Sequence, residues 1–189
     1  MPTPEEITQL LVVMRQGNHE AANKLLPLIY EELHAMAHRQ LGRYRPNQTL
    51  NTTGLVHEAY LKMVDQNQAT MNDRQHFFSV SAIAMRQIIV DYARKRQAQK
   101  RGGGAHHTLL DEYNARAVRI EAQADALLSL DMALTRLAEV DERLARVIEL
   151  RFFGGLSVEE AAEVMGVSTP TIKRDTRVAR AFLYREMGA

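Results

Sequence analysis

The sequence predicts an all-α protein made of two small helical domains joined by a flexible linker. Aromatic residues make up only 6% of the 189 positions and tryptophan is missing, while good helix formers abound, which favours helix over sheet. Apolar residues recur every three or four positions on both sides of a glycine run at 102–104. That run and the mixed polarity after it place the domains at 1–101 and 124–189, with a flexible linker at 102–123.

The composition excludes several classes of site. The chain has no cysteine, which rules out disulfides, thiolate zinc sites, iron–sulfur clusters and cysteine nucleophiles. No apolar run approaches the roughly 18 residues of a membrane span, and the acidic N-terminus is unlike a secretory signal. We therefore expect a helical protein of the cytoplasm that needs no cofactor.

Capping signals begin the first two predicted helices. Thr3-Pro4-Glu5-Glu6 is a capping box with proline at the first helical position. Asn18 caps a second helix with apolar residues at helical spacing. Pro27 lies within that pattern, so it is expected to bend or restart the helix.

The fourth predicted helix carries a strongly basic segment. It begins at the N-cap Asp73, after a third helix that follows a polar connection at 42–51. Residues 86–101 contain one acidic residue and six basic ones, which are Arg86, Arg94, Lys95, Arg96, Lys100 and Arg101. Residues 171–185 hold five cations and one acid, whereas residues 125–163 hold nine acids and four arginines. This distribution indicates two contacts with a polyanion, and the alternative is two solvated helix faces.

Residues 156–173 are typical of a helix-turn-helix. A capping box begins at Ser157, and the small Ala162 suits a close crossing of two helices. Gly166 can adopt the positive φ of a tight turn, Ser168 caps the next helix, and Ile172 fills the space between the helices. The second helix is then expected to face the DNA major groove, where the candidate contacts are Thr171, Lys173, Arg174, Arg177 and Arg180. The alternative is a helical hairpin with a solvated basic face.

Most of the chain resembles the sigma-70 family of bacterial sigma factors. The stretch LDMALTRLAEVDERLARVIELRFFGGLSVEEAAEVMGVSTPTIKRDTRVARAFLYREM is similar to the family's C-terminal domain, domain 4. The stretches LVHEAYLKMV and HFFSVSAIAMRQIIVDYARKRQAQKRGG resemble its domain 2. Only a short connector lies between them, as in the extracytoplasmic-function (ECF) group. The resemblance implies a subunit that binds core RNA polymerase and directs promoter-specific transcription initiation.

The resemblance also implies roles for individual residues. The segment that docks on core polymerase corresponds to Leu55, Val56, Glu58, Ala59 and Leu61. The six cations between residues 86 and 101, with the loop at about 68–75, would engage and open the −10 element, and the helix-turn-helix would bind the −35 element. Phe77 and Phe78 are candidate platforms for unstacked bases, although core packing is the preferred interpretation.

The segment before the docking residues departs from the family pattern. Where the family carries acids, this chain has Asn51-Thr52-Thr53-Gly54. A phosphate on threonine adds about −1.5 to −2 charges. Our hypothesis is that a Ser/Thr kinase phosphorylates Thr53, or failing that Thr52, and so permits core binding. The alternative is that Thr53 only caps the following helix.

Other interpretations of the sequence are less well supported. His34 and His38 are four residues apart, but no third metal ligand accompanies them, and we expect no metal site and no catalytic residues. A stand-alone helix-turn-helix regulator is the alternative function, in which the docking segment has no role. An anti-sigma factor is a further candidate partner. In the free chain, the acidic segment at 125–163 is able to cover one of the basic helices, provided that the linker permits it.

Overall fold

The computed structural model of the chain describes residues 4–16, 18–44, 50–66, 73–102 and 111–188. Within these ranges the chain forms eight α-helices and one short π-helix, and no β-strand. The prediction of an all-α fold is therefore confirmed. The helices are α1 (Pro4–Arg15), α2 (His19–Tyr44), α3 (Thr52–Gln66), α4 (Arg74–Gly102), α5 (Asp111–Val140), α6 (Glu142–Ile148), the π-helix (Glu149–Phe153), α7 (Val158–Met165) and α8 (Thr169–Met187).

Side-chain caps determine where the N-terminal helices begin. Asn18 Oδ1 accepts a hydrogen bond from the backbone N–H of Glu20 at 3.0 Å, and Asp73 Oδ1 accepts one from His76 at 2.8 Å. Each bond satisfies a backbone donor that has no partner within its own helix. Both predicted caps are confirmed, whereas Thr3 of the predicted capping box lies outside the described residues.

Helix α2 does not restart at Pro27, and part of the predicted linker is helical. α2 includes Pro27 in its interior, because the residues around the proline are anchored in the core: Leu25 and Ile29 are fully buried. α5 begins at Asp111, so residues 111–123 of the predicted flexible linker are helical. They contain neither glycine nor proline and are rich in Ala, Glu and Arg, which favour helix. The remainder of that linker, apart from Gly102 in α4, falls outside the described residues, and the domain limits stay a prediction.

A single hydrophobic cluster extends through both halves of the chain, which we define as residues 4–102 and 111–188. Helix α4 packs against α2 and α3 of its own half and against α5 and the π-helix of the other. Met85 and Ile89 of α4 are buried in this cluster together with Leu137 of α5 and Phe153 of the π-helix. A smaller cluster, which we call the helix-turn-helix cluster, consists of Val147, Leu150, Ala161, Ala162 and Ile172.

Candidate nucleic-acid interface

Helix α7 begins at a complete capping box. Ser157 Oγ accepts a hydrogen bond from the N–H of Glu160 at 3.1 Å, and Glu160 Oε2 accepts one from the N–H of Ser157 at 2.7 Å. Two backbone donors at the start of the helix are thereby satisfied, as the sequence predicts.

A left-handed glycine joins α7 to α8. Gly166 has φ 63° and ψ 31°, and the N–H of the next residue, Val167, donates to the carbonyl of Ala162 at 3.0 Å. Ser168 then caps α8, with its Oγ accepting from the N–H of Thr171 at 3.4 Å. Ala162 and Ile172 are buried between the two helices. The predicted small residue, turn glycine, cap and apolar plug are all confirmed.

The predicted DNA contacts lie on the outer face of α8. Lys173, Arg174, Arg177 and Arg180 are exposed, while Thr171 is half-buried and its Oγ1 lies 2.9 Å from Ser168 Oγ. The guanidinium of Arg180 lies 5.9 Å from the ring of Phe152. The exposed cations share one face of the helix because the opposite face, at residues 172, 175, 179 and 183, is buried.

Asp175 is a structural residue that sequence reasoning missed. Its carboxylate is only 1% exposed, and Oδ2 lies 3.4 Å from Nη2 of Arg143 on α6. The pair connects α8 to α6, and a second arginine, Arg174, lies 3.7 Å from Oδ1. The signal was present in the sequence, since residue 175 falls in the buried series 172, 175, 179 and 183 at helical spacing.

The basic segment of α4 is only partly accessible. Arg86 is buried: Nη1 bonds to the carboxylate of Asp131 on α5, and Nη2 lies 2.9 Å from Oε1 of Glu149 in the π-helix. Arg94 Nη2 lies 2.9 Å from the other oxygen of Asp131. Arg86 therefore faces carboxylates in this structure and not solvent, contrary to its expected position on an open DNA-binding face.

The remaining cations of α4 differ in their surroundings. Lys95 is exposed, with Nζ 5.8 Å from the ring of Tyr92, and Arg96 is half-buried. The side chains of Lys100 and Arg101 lie outside those that the structure describes. Among the described side chains, the exposed cations of the predicted −10 surface are therefore Arg94 and Lys95.

The aromatic residues at the start of α4 belong to the core. Phe77 is 1% exposed and Phe78 6%, and their rings meet edge to face with centroids 5.5 Å apart. The guanidinium of Arg74 lies 4.9 Å from the Phe78 ring. The preferred interpretation of these residues as core is confirmed, because buried rings cannot receive an unstacked base.

Helix α3 buries part of the predicted docking segment. Leu55, Val56 and Ala59 are fully buried in the main cluster, whereas Glu58 is exposed and Leu61 is 61% exposed. Of the five predicted docking residues, only Glu58 and Leu61 expose their side chains to a partner. The apolar residues instead orient the helix so that Glu58 and Leu61 face outward.

Asn51 provides the cap of α3. Its Oδ1 accepts a hydrogen bond from the N–H of Gly54 at 2.7 Å, and its carbonyl accepts one from Leu55 at 3.0 Å. Thr53 lies within the first turn and is exposed, while Thr52 is half-buried. The alternative that Thr53 caps this helix is wrong, since the cap is two residues earlier.

No helix among the described residues is long and apolar enough to cross a membrane.

Comparison with known families identifies the chain. None of the curated proteins compared with the chain matches it. The family model described as ECF sigma factor matches residues 4–189, nearly the whole sequence. The chain therefore belongs to the ECF sigma factors, the sigma-70 family members that bind core RNA polymerase and promoter DNA to initiate transcription.

Proposed function

We propose that this sigma factor recognises the −35 element with α8 and engages and opens the −10 element with the basic segment of α4. The observation that carries the first part is the exposed row of Lys173, Arg174 and Arg177 near the start of α8, directly after the turn at Gly166. In a helix-turn-helix these early positions meet base edges and adjacent phosphates in the major groove. Arg180, one turn further on, is suited to a phosphate contact.

Selection of promoters by the reconstituted holoenzyme tests this assignment. Duplexes with a randomised upstream element are bound to holoenzyme that contains the wild-type chain or Arg177→Ala. We expect the variant to lose preference at one position, since a bidentate base contact contributes about 1–3 kcal/mol of discrimination. The matched control is Arg185→Ala near the end of α8, whose side chain is 74% exposed.

The outcomes separate the proposal from its alternative. Equal base preferences for wild type and Arg177→Ala contradict the assignment of α8. Tight binding of the free chain to one duplex sequence, without any binding to core polymerase, supports a stand-alone regulator instead.

We further infer that core binding through α3 is controlled by charge at its N-terminus. The first turn of α3 contains no acidic residue. Thr53 is exposed there, and Asn51 already provides the cap, so the hydroxyl is not needed for helix initiation. A phosphate on Thr53 would lie near the positive end of the helix dipole and would supply the negative charge that the segment lacks. A Ser/Thr kinase is the partner that this proposal requires.

A pull-down of core polymerase tests the charge switch. We expect Thr53→Glu to bind core about tenfold more tightly than Thr53→Ala, a difference of about 1.4 kcal/mol. Thr52→Glu serves as the positional comparison, because its side chain is half-buried one residue earlier. Equal binding by Thr53→Ala and Thr53→Glu would refute the switch and leave the sigma function itself untouched.

A further inference from the structure

An apolar cavity of about 250 Å³ lies between α5, the π-helix and the C-terminal part of α8. We call it the α8 pocket. Its lining includes the buried side chains of Ile148, Phe153 and Leu183 and the half-buried ring of Phe152. These residues also belong to or pack against the main hydrophobic cluster, so core packing holds the walls of the pocket in place.

The π-helix contributes two adjacent aromatic rings to this pocket. The N–H of Gly154 donates to the carbonyl of Glu149, five residues earlier, at 2.9 Å, which is the hydrogen-bond spacing of a π-helix. Phe152 and Phe153, within that turn, both line the cavity. Single π-turns occur frequently at functional sites, which favours a ligand site over a simple gap in the packing.

The polar groups of the α8 pocket lie at its edge. Of the residues that line it, only Arg180 and Tyr184 have polar side-chain groups, and both are exposed one helical turn apart on α8. The guanidinium of Arg180 lies 5.9 Å from the Phe152 ring and has no ion-pair partner among the described side chains. Arginine binds carboxylates strongly through its N–H groups. The lining therefore favours a ligand with an apolar body and an anionic end.

The volume of the pocket limits the size of that ligand. A water molecule takes about 30 Å³ of the liquid, so the cavity holds about eight atoms of similar size. Pockets for larger, drug-sized ligands usually measure about 300–1,000 Å³. A carboxylate on an unbranched chain of about six to eight carbon atoms meets both conditions, because its chain fills the cavity and its carboxylate reaches the edge.

We propose that the α8 pocket binds a small amphipathic carboxylate from solution and that this ligand withdraws Arg180 from promoter DNA. The second part rests on the proposed function, in which Arg180 contacts a phosphate at the −35 element. A guanidinium paired with the ligand cannot offer the same N–H groups to a phosphate. Lys173 and Arg174 do not line the pocket, so the ligand weakens binding to the upstream element without abolishing it.

Methionine methyl NMR of the full chain tests occupancy of the pocket, with octanoate below its micellar range as the probe. Met187 lines the pocket, whereas Met132 is 56% exposed and does not. We expect octanoate to shift the Met187 signal, identified by its loss in Met187→Leu, and to leave the Met132 signal unchanged. Hexanoate should bind about 15-fold more weakly, since two buried methylenes correspond to about 1.6 kcal/mol.

Arg180→Gln tests recognition of the anionic end. We expect this variant to bind octanoate about tenfold more weakly than wild type and to bind octan-1-ol, an uncharged ligand with the same chain, equally well. The matched control is Arg185→Gln, which removes the same charge from a 74% exposed side chain of α8 outside the pocket lining. Equal octanoate affinities for the two variants, or no shift of Met187 in the wild-type chain, would overturn the proposal.

Binding of holoenzyme to a fluorescein-labelled promoter duplex tests the consequence for DNA. We expect saturating octanoate to weaken wild-type binding about fivefold, at the lower end of the usual range for coupled sites, and to leave Arg180→Gln holoenzyme unaffected. Unchanged promoter affinity with the pocket occupied would overturn the competition for Arg180.

Two other results have separate meanings. Wild-type promoter affinity of Arg180→Gln holoenzyme in the absence of octanoate would contradict the phosphate contact of the proposed function, whereas the NMR titration still tests the pocket. If core polymerase shifts the Met187 signal and octanoate does not, the pocket is a protein-binding surface and the proposal is overturned.

Discussion

Replacing Ile172 with alanine tests whether the helix-turn-helix cluster holds the start of α8 in place. Ile172 is 0% exposed and packs with Val147, Leu150, Ala161 and Ala162. The substitution removes three carbon atoms, which corresponds to about 2.4 kcal/mol at roughly 0.8 kcal/mol each, and the remaining cavity adds to this loss. We expect a total of about 3 kcal/mol, which lowers the melting temperature by about 6–12 °C for a chain of this size.

The same substitution is expected to weaken DNA binding selectively. Ala179 and Leu183, further along α8, belong to the main cluster and still anchor the C-terminal part of the helix. The N-terminal part, which carries Lys173 and Arg174, loses its buried apolar side chain and keeps only the buried Asp175. Circular dichroism melting measures the first effect, and holoenzyme binding to a duplex promoter measures the second.

Val178→Ala is the control, because Val178 lies on the same helix and is 49% exposed. We expect it to change stability by no more than about 0.5 kcal/mol. A difference of less than about 1 °C between the melting temperatures of Ile172→Ala and Val178→Ala would refute the packing argument, because loss of a buried side chain should give a much larger shift.

One titration and three substitutions test other parts of the fold. Burial raises the pKa of Tyr60 to about 12, so its phenol should titrate above the usual tyrosine value of 10 in a spectrophotometric titration. The neutral phenol stabilises the fold fully below pH 10, and this stabilisation is lost as the pH rises through 12. Tyr60→Phe removes the 2.6 Å hydrogen bond to the carbonyl of Ala22 and should cost about 1–2 kcal/mol in urea unfolding, whereas a stability equal to wild type would contradict this role. Gly154→Ala should destabilise by about 1–3 kcal/mol because its Cβ would lie 2.7 Å from the carbonyl oxygen of Leu150. A Cβ added at Gly166 would meet no atom within 4 Å, but alanine there would have to adopt the φ of 63°. We therefore expect Gly166→Ala to lower the free energy of unfolding by about 1 kcal/mol through backbone strain alone, and an unchanged stability would refute this argument.

Local signals explain why the helix-turn-helix was predictable from the sequence. Its capping box, turn glycine and second cap join residues at most five positions apart, and the apolar plug Ile172 follows soon after the small Ala162 on which it packs. The caps at Asn18 and Asp73 were predictable for the same reason, since each bonds a backbone group two or three residues away. Patterns of this kind depend on backbone geometry that the residue types themselves determine.

Contacts between distant residues explain what the sequence did not reveal. Arg86 was assigned to DNA because it lies in a basic segment, but its partners are 45 and 63 positions away. A count of charges along the chain does not indicate which charges face one another after folding. Leu55, Val56 and Ala59 were assigned to a partner surface from the family resemblance, yet their helical spacing is equally typical of a buried face.

The hydrophobic cluster that extends through both halves also determines how their contact responds to temperature. Separation of the halves would bring buried apolar surface, such as that around Phe153, into contact with water. Hydration of apolar surface raises the heat capacity, and the stabilisation gained from its burial weakens on cooling. The apolar contribution to the contact between the halves should therefore be smallest in the cold, so cooling is expected to weaken the packing of α4 against α5 and the π-helix.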